Sequence, residues 1–548
     1  MTRWIRTLSA RTEGTAATLG GKAAGLVELH RLGLPVPAGF VIRSEACRAY
    51  LRDGRLPDGL DRELATAVAE LECSTGRTFG GPHRPLAVAV RSGAGVSMPG
   101  MMSTVLNLGL TTGATEGLAV ETGDRPFALA ARQEFLRSFA AATTEAAPDP
   151  APHPAAPSAT TPATELAPDE AGRQLTRAIE AVFASWESQR ARTYRELNGI
   201  PDDPGTAVIV QRMVFGNRDD HSGSGVAFSR DPNSGVNRPY GEVLFGRQGE
   251  AVVSGRTTTR PLAELAGREP AVWAGLLDAL RRIERHYRDA CYVEFTYQSG
   301  ELWLLQVRPG RFTGGAAVRV ATELVDQGIV GRDEALLRVS PVHLRQVRTP
   351  RIATAAGADL LARGIGACPG VATGRIVTTA DGAVRAARSG PVVLVRPETS
   401  PADLHGLAAA VGIVTARGGP ASHAAVVARA MGRPAVVGVA GLTVHGPAAT
   451  PTAPAAPAAP ATDPATTPTV TIGGRTLPEG TLVTIDGSSG EVVLGHPGTV
   501  TDATAEQLDR LLAWADEFSG DHSARDEAAR LAAAHAVLRR TASGPPDG

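Results

Sequence analysis

The hydrophobic pattern of this chain mixes short apolar runs with longer periodic segments, and it predicts strands and helices in alternation. Apolar runs predict buried strands at 205–217 and 408–414. Apolar residues at helical spacing predict amphipathic helices at 175–186 and 505–518. Two further strand-like runs, joined by a Gln-Ser-Gly-Glu turn, predict an antiparallel hairpin at 291–308. This mixture indicates a multidomain α/β (α+β) fold.

Two segments interrupt the pattern. Residues 140–169 and 446–468 are dominated by Ala, Pro and Thr. Such a composition cannot bury enough apolar surface to offset the entropy of ordering the chain. We therefore expect a disordered linker at 140–169 and a solvated low-complexity insert at 446–468.

Length and composition narrow the class of protein. A chain of 548 residues is too long for one core and suggests three or four domains. The formal net charge of -1 gives no general argument for a nucleic-acid partner, and no apolar run has transmembrane length. Four scattered cysteines without metal-ligand spacing indicate a reduced protein. We expect a cytoplasmic protein that binds neither nucleic acid nor membrane.

One histidine stands in an unusual position. After the strand predicted at 408–414 comes a Gly-Gly-Pro turn, and then an Ala/Val-rich helix that runs to Met431 with Ser422 as its expected N-cap. His423 therefore lies in the first helical turn. The positive end of a helix disfavours an imidazolium, so the ring stays neutral and nucleophilic near pH 7. The same end stabilises a dianion placed on that ring.

The residues around His423, TARGGPASHAAVVAR, closely resemble the phosphohistidine signature of the pyruvate phosphate dikinase and phosphoenolpyruvate synthase family. By this resemblance to phosphoenolpyruvate-utilising enzymes, His423 is the catalytic residue that carries the phosphoryl group. A histidine that only helps to end a helix is the ordinary alternative for such a position. The flanking residues argue against that alternative.

Two N-terminal segments resemble the same family. The segments GGKAAGL and GLPVPAGFVI look like the start of its ATP-grasp domain, where the lysine, here Lys22, contacts nucleotide phosphates. The later segment SMPGMM with TVLNLGL follows a strand that carries Arg91, which is suited to multidentate contact with phosphate. Gly95 and Ser103 depart from the pattern, in which we expect an arginine and an aspartate. Both departures weaken the expected grip on phosphates.

The predicted hairpin at 291–308 supplies the expected metal site. Glu294 and Gln306 point to one face from adjacent strands, and Arg308 shares that face. A carboxylate and an amide oxygen suit Mg²⁺, and the arginine suits a terminal phosphate. The family pattern is Asp-x-Glu, whereas this chain has Tyr292 at the first position. We expect the lost carboxylate to weaken metal binding or the chemistry that the metal supports.

The resemblance implies an N-terminal ATP-grasp nucleotide-binding domain followed by a swivelling phosphohistidine domain. The boundaries that we predict are an ATP-grasp domain at 1–312, a helical connector at 313–360, the phosphohistidine domain at 361–496 and a C-terminal helical tail at 497–548. Full-length dikinases continue into a phosphoenolpyruvate/pyruvate-binding TIM barrel of roughly 250 residues. Only about 50 residues follow Leu494. We therefore expect a truncated form that lacks the barrel.

The resemblance also implies an ATP-dependent phosphotransferase that uses Mg²⁺, with ATP as substrate. ATP would phosphorylate His423, with release of AMP and transfer of the γ-phosphate to inorganic phosphate. The acceptor would then be pyruvate or phosphoenolpyruvate on a separate barrel protein. One alternative is a degenerate nucleotide-binding homologue with a regulatory or scaffold role, which the departures at Tyr292, Gly95 and Ser103 favour. Another is a small-molecule (antibiotic) phosphotransferase, but only residues 313–364 separate the two domains, too few for a drug-binding domain.

Overall fold

The computed structural model describes residues 4–96, 98, 101–145, 169–249, 259–310, 312, 314–347, 350–353, 359–420, 422–446, 468–501, 505–523 and 525–542. Most of the two tracts rich in Ala, Pro and Thr, at 146–168 and 447–467, lies outside these residues. So do Ser97, Pro99 and Gly100 of the segment that resembles the dikinases.

The described residues form a mixed α/β architecture, which confirms the predicted fold class. The strands are β1 Ile5–Thr7, β2 Gly39–Ile42, β3 Thr78–Phe79, β4 Pro85–Leu86, β5 Val88–Ala94, β6 Thr104–Leu108, β7 Thr206–Arg212, β8 Gly223–Phe228, β9 Tyr240–Phe245, β10 Arg260–Pro261, β11 Cys291–Gln298, β12 Glu301–Pro309, β13 Pro350–Ile352, β14 Leu360–Arg363, β15 Ile365–Cys368, β16 Val371–Val377, β17 Val392–Arg396, β18 Gly412–Thr415, β19 Ala435–Val437, β20 Thr443–His445, β21 Thr469–Ile472, β22 Arg475–Pro478, β23 Leu482–Asp486, β24 Glu491–Leu494 and β25 Thr499–Thr501.

The helices alternate with these strands over most of the chain. They are α1 Ala16–Arg31, α2 Ser44–Asp53, α3 Leu60–Thr75, α4 Thr112–Thr122, α5 Arg125–Glu145, α6 Ala171–Ala184, α7 Gln189–Asn198, α8 Leu265–Arg268, α9 Pro270–Tyr287, α10 Gly314–Asp326, α11 Arg332–Arg338, α12 Pro341–Val347, α13 Ala380–Ala386, α14 Leu404–Ala409, α15 His423–Met431, α16 Ala505–Ser519 and α17 Glu527–Ala542. No helix in the described part of the chain is both long enough and apolar enough to span a membrane.

The chain forms two compact units. The first consists of Met1–Gly223, Phe245–Arg247 and Val293–Arg308, and the second of Ser224–Leu244, Gln248–Tyr292 and Pro309–Gly548. The domain boundaries predicted from the sequence stay a prediction.

The first unit contains an antiparallel sheet in the order β1-β2-β7-β5-β6. Side chains alternate between its faces, as in any strand. Val88 and Val90 belong to one apolar cluster, together with residues of helices α2, α3, α5 and α6. Ala87 and Ala89 belong to a second cluster with residues of α4 and α5. This sheet is therefore covered on both faces, and it holds β5, the strand of Arg91, in a fixed position.

The second unit contains an eight-stranded sheet in the order β14-β24-β23-β16-β17-β18-β19-β15. Strands β16, β17, β18 and β19 run parallel to one another, and antiparallel strands flank them. Residues 392–395 of β17, 412–415 of β18 and 435–437 of β19 are all buried, as expected for strands covered on both faces. Helix α15, which begins at His423, follows the carboxyl end of β18.

The helices of the predicted connector and of the predicted tail share one core. Leu324 and Leu336 of α10 and α11 pack in the same apolar cluster as Leu511 and Trp514 of α16 and Leu531 of α17. Between these two sets of helices, β13 pairs with β25 in an antiparallel ribbon. The chain therefore leaves the helical cluster and returns to it through paired strands.

Several boundaries differ from the sequence prediction: the strand predicted at 205–217 is Thr206–Arg212, and the helix predicted at 175–186 is Ala171–Ala184. The run at 408–414 is not one strand, because helix α14 extends through Ala409 and β18 begins at Gly412. Alanine has the highest helix propensity, so apolar character alone did not identify a strand there. Helix α5 continues through Glu145, so residues 140–145 are helical, although we predicted that the linker begins at residue 140.

Candidate active site

Lys22 and Arg91 are brought together by glycines. Gly20 breaks the helical conformation within α1 with φ 78°, and a Cβ atom there would lie 1.6 Å from the carbonyl oxygen of Gly93 in β5. Only a glycine permits this close approach of two backbones. Lys22 follows two residues later, and its Cβ atom lies close to Gly93. The glycine pair thus places the lysine beside the strand of Arg91.

Arg91 connects this strand to the hairpin of β11 and β12. Its guanidinium donates to Oε2 of Glu294 at 3.1 Å and to the carbonyl oxygen of Leu305 at 3.3 Å. Both side chains of the ion pair are largely buried, with 18% of Arg91 and 23% of Glu294 exposed. The partners are 203 positions apart in the sequence, so the site exists only in the folded unit.

Three cations and one carboxylate form this cluster. Burial, together with the charges of Arg91 and Arg308, lowers the pKa of Lys22 from 10.5 to about 8, and the charge of Glu294 opposes this shift. The structure therefore brings together four of the five nucleotide-binding residues predicted from the sequence. An excess of positive charge suits a polyphosphate, because the negative phosphate oxygens can pair with cations that burial has deprived of hydrating water.

Gln306, the fifth residue, is 8% exposed and lies in β12 between Leu305 and Arg308. No three His, Cys, Asp or Glu side chains of the described ranges converge as a metal site. The oxygen atoms of Glu294 and Gln306 fit Mg²⁺, which accepts few protein ligands and completes its shell with phosphate and water. Their assignment as metal ligands remains a prediction.

Tyr292 stands in an apolar cluster of the second unit. It is 2% exposed and packs with Val226, Phe228 and Leu244. Its ring meets that of Phe228 edge to face, with 5.0 Å between the ring centroids. The tyrosine is therefore a core residue, and the missing carboxylate is replaced by packing.

The other two positions that depart from the family pattern, Ser103 and Gly95, also contact neighbouring residues. Ser103 is 5% exposed, and its backbone N–H donates to Oγ of Ser185 at 3.2 Å. A Cβ atom on Gly95 would lie 3.3 Å from the carbonyl oxygen of Ala16, at the start of α1. A larger side chain at Gly95 would have to displace that helix end slightly.

His423 is the first residue of α15, as the sequence predicted, and the helix ends at Met431 as expected. Ser422 is the N-cap by its extended backbone, but its hydroxyl makes no capping hydrogen bond. That hydroxyl is buried and has no hydrogen-bond partner among the described residues. The N-terminus of the helix thus keeps donors that a cap would otherwise satisfy.

Among the described residues, the imidazole of His423 has a hydrogen-bond partner at one nitrogen only. Its Nδ1 lies 3.1 Å from Oγ1 of Thr399, while Nε2 is buried without a hydrogen-bond partner in the described part of the chain. Burial lowers the pKa of His423 from 6.5 to about 4, although the carboxylate of Asp403 opposes this shift. The ring is consequently neutral at pH 7. When Nδ1 donates to Thr399, the lone pair remains on Nε2.

The sequence pattern did not identify Thr399 and Asp403 as partners of His423. They lie in the turn after β17, where Ser400 and Asp403 form a capping box and Arg396 pairs with Asp403 at 3.3 Å. Nothing in the composition of this turn points to a residue 24 positions away. The pairing depends on β17 and β18 being neighbours in the sheet.

Two family models match the chain. Residues 16–75 and 52–263 match "Pyruvate phosphate dikinase, AMP/ATP-binding domain", and residues 389–490 match "PEP-utilising enzyme, mobile domain". These regions contain Lys22, Arg91 and His423.

Curated relatives are similar over nearly the whole chain. The pyruvate, phosphate dikinase of Rhizobium meliloti (strain 1021) is 38% identical over 561 residues, which cover 94% of this chain and 60% of the relative. That of Clostridium symbiosum is 36% identical, with 94% and 61% covered, and pyruvate, phosphate dikinase 2 of Zea mays is 39% identical, with 91% and 58% covered. The chain thus spans about 60% of the length of these relatives. Both family models and these relatives agree that the chain contains an AMP/ATP-binding domain of the pyruvate phosphate dikinase type and a mobile domain of the phosphoenolpyruvate-utilising enzymes.

Proposed function

We propose that this protein is an ATP-dependent phosphotransferase in which His423 accepts the phosphoryl group on Nε2. The observation that carries the proposal is the state of the ring. Nδ1 has a hydroxyl partner in Thr399, and Nε2 is neutral, buried and unpartnered within the described residues. A buried polar atom without a partner is costly, so such an atom calls for a functional explanation.

The first step forms a bond between Nε2 and the β-phosphorus of ATP. The bond from that phosphorus to the bridging oxygen of AMP breaks, and AMP leaves with the electron pair. Inorganic phosphate then takes the γ-phosphoryl group as pyrophosphate, and one phosphoryl group stays on His423. The backbone N–H groups in the first turn of α15, which the Ser422 hydroxyl does not cap, stabilise this dianion.

The cluster around Lys22 binds the nucleotide in this proposal. Lys22, Arg91 and Arg308 neutralise the phosphate charge, and Glu294 fixes the direction of the Arg91 guanidinium through their ion pair. When Mg²⁺ is bound by Glu294 and Gln306, it adds positive charge beside the phosphates. The neutral histidine is the nucleophile and contributes no charge of its own.

Differentially labelled ATP tests the proposal. Label at the β-phosphorus is expected to stay on the protein as an acid-labile, base-stable adduct. Label at the γ-phosphorus is expected to be released as pyrophosphate when inorganic phosphate is added. His423→Ala should abolish both labels. Equal labelling of His423→Ala would remove His423 from the mechanism, and loss of β-label on addition of phosphate would refute the order of steps.

We propose pyruvate as the final acceptor, because the relatives bear the name pyruvate, phosphate dikinase. The test is to isolate the phosphorylated protein and add pyruvate, alone and with a separately expressed phosphoenolpyruvate/pyruvate-binding barrel. Phosphoenolpyruvate is expected to appear in at least one of the two mixtures. Stable phosphohistidine in both would exclude pyruvate as the acceptor.

A nucleotide-binding protein without catalysis is the second candidate. Tyr292 favours it, because the position of a family carboxylate is filled by a core aromatic residue. Under this alternative, ATP binds and Arg91→Ala weakens binding, but His423 never becomes labelled. The labelling experiment therefore separates the two functions.

A further inference from the structure

The turn that precedes His423 packs against a carboxylate. Glu242 of β9 is 4% exposed, and a Cβ atom added to Gly419 would lie 1.6 Å from its Oε1 and 2.3 Å from its Cδ. Glu242 also accepts a hydrogen bond from the hydroxyl of Thr259. Only a glycine fits at position 419 while the carboxylate stays in place.

A second charged residue also contacts the turn that precedes His423. Arg429, on the helix of His423, is 8% exposed and donates to the carbonyl oxygens of Pro420 and Ala367. Its guanidinium lies 5.8 Å from the ring centroid of Phe228 in β8. Arg429 thereby joins the turn at 418–420 to its own helix and to the sheet that carries Glu242.

The two charges share one neighbour. Burial raises the pKa of Tyr240 to about 12, with Glu242 acting in the same direction and Arg429 opposing it. A further contact connects the same segments, since Nδ2 of Asn233 donates to the carbonyl oxygen of Gly366 at 2.8 Å. Buried charges are tolerated when they are compensated: Glu242 accepts the hydrogen bond from Thr259, and Arg429 donates to the carbonyl oxygens of Pro420 and Ala367.

We propose that Glu242 and Arg429 are positioning residues that seat the turn at 418–420 on the surface formed by β8 and β9. The seated turn fixes the start of α15 and, with it, the direction of the imidazole of His423. The surface consists of Phe228, Tyr240 and Glu242, and its partner is the glycine turn of the same chain. This inference rests on the proposed role of His423, but the seating itself is measurable without any reaction.

The contact between Gly419 and Glu242 allows a test by size complementation. Gly419→Ala introduces a Cβ atom where the carboxylate lies, whereas Glu242→Ala removes the carboxylate, and the double variant has neither clash nor carboxylate. Gly446→Ala is the matched control in the same unit, because a Cβ atom there meets nothing within 4 Å. Glu242→Gln keeps the packing and removes the charge.

Two readouts are measured for each variant. Hydrogen exchange of the amides at 415–422 reports the seating, and the single-turnover labelling rate of His423 reports its consequence. We expect Gly419→Ala to exchange roughly tenfold faster and to label ten- to hundredfold more slowly, with nucleotide affinity unchanged. The double variant should match Glu242→Ala in both readouts, so the two substitutions should not multiply.

The inference is overturned if Gly419→Ala behaves like Gly446→Ala, or if the double variant shows the product of the two single effects. If the amides of Glu242→Gln exchange as rapidly as those of Glu242→Ala, the charge of Glu242 seats the turn. If they exchange slowly, its packing seats the turn. Both results agree with the proposal. If the wild-type protein takes up no label, the proposed function fails. The exchange pattern still decides whether the turn is seated by Glu242.

Discussion

Burial acts on both Lys22 and His423, and it has opposite consequences at the two sites. The pKa of Lys22 falls from 10.5 to about 8, and that of His423 falls from 6.5 to about 4. Loss of hydration disfavours the charged form in each case. At pH 7 the lysine nevertheless remains mostly protonated, whereas the histidine is neutral. The same physical effect thus leaves a cation where a polyanion would bind and a nucleophile where a bond would form.

The two sites also differ in how the fold assembles them. Lys22, Arg91, Glu294 and Arg308 come from three distant parts of the sequence. The approach of Gly20 and Lys22 to Gly93 and the Arg91–Glu294 ion pair join the first three of them. His423 and Thr399 come from one domain-sized stretch and from neighbouring strands. Variants should therefore affect the first site through charge and the second through orientation. The following predictions test this contrast, from the largest expected effect to the smallest.

Removal of Arg91 should have the largest effect. Arg91→Ala breaks the largely buried ion pair with Glu294 and deletes a cation that we propose to contact the phosphates. Loss of one member of a buried pair of opposite charges, here arginine and phosphate, typically costs about 2–5 kcal/mol, so nucleotide affinity should fall by roughly a hundredfold or more. Isothermal titration with a non-hydrolysable ATP analogue measures it. Arg52→Ala, which breaks an exposed ion pair with Asp53, is the control and should bind normally.

Tyr292→Asp tests whether the absence of a carboxylate at position 292 impairs the predicted metal site of the nucleotide-binding cluster. Because Tyr292 is packed with Phe228 and Leu244, the substitution removes an aromatic side chain and buries a carboxylate. The free energy of unfolding should fall by about 3–5 kcal/mol, as for other large aromatic deletions in cores. Urea denaturation measures this change, with Tyr292→Phe as the control. If the protein keeps its stability and labels faster with less Mg²⁺, the tyrosine is instead an impairment of the metal site.

Thr399→Val tests orientation at the neutral site. The substitution keeps the shape of the side chain but removes the partner of Nδ1, so both tautomers of His423 become accessible. The labelling rate should fall by roughly ten- to hundredfold, while nucleotide affinity stays the same. Thr399→Ser should restore most of the rate. Equal rates for the valine and threonine proteins would show that the tautomer is fixed by another group.

The pH dependence should distinguish the site of Lys22 from that of His423, and it is the smallest of these expected effects. Nucleotide affinity should decline as the pH rises through about 8, because Lys22 then loses its proton. The change should be about tenfold or less, and Lys22→Arg should remove it, since arginine stays protonated. The labelling rate at saturating nucleotide should be level near pH 7 and fall only as the pH approaches about 4, where His423 becomes protonated. A midpoint near pH 6.5 would mean that the ring is solvated.

The lowered pKa of His423 also makes the free energy of unfolding depend on pH. The folded state lowers the pKa of His423, so the unfolded chain binds a proton more readily between pH 6.5 and about 4. This contribution to stability is fully present above pH 6.5 and is lost as the pH falls through that interval. His423→Gln should lose less stability than the wild type over the same range, which thermal denaturation at several pH values measures.

Local signals in the sequence located helices, strands and the histidine. The helix from His423 to Met431 has the predicted ends, because the polar Ser422 precedes it and Gly432 terminates it in the left-handed conformation. The hairpin of β11 and β12 likewise follows from its turn at Ser299 and Gly300, both of which have positive φ. These features depend on neighbouring residues, so a single sequence contains enough information to predict them.

Contacts between distant segments were beyond the reach of the sequence pattern. Nothing local shows that Thr399 meets His423, that Glu242 requires a glycine at position 419, or that Tyr292 fills a core. Each contact is decided by the order of strands in a sheet or by the packing of two segments. The family resemblance supplied the identities of Lys22, Arg91, Glu294 and Arg308, and the structure supplied their proximity.

The antiparallel ribbon of β13 and β25 has a mechanical consequence. The sheet that carries His423 is inserted into a helical cluster, and the outgoing and returning chains are paired at Pro350–Thr501, Arg351–Val500 and Ile352–Thr499. A hydrogen bond from the backbone N–H of Ile352 to Asp486 ties the ribbon to β23. A single covalent connection permits rotation about many axes, whereas two hydrogen-bonded strands bend mainly across their plane. The ribbon would therefore restrict rotation of the eight-stranded sheet relative to the helical cluster more than a single connecting strand would.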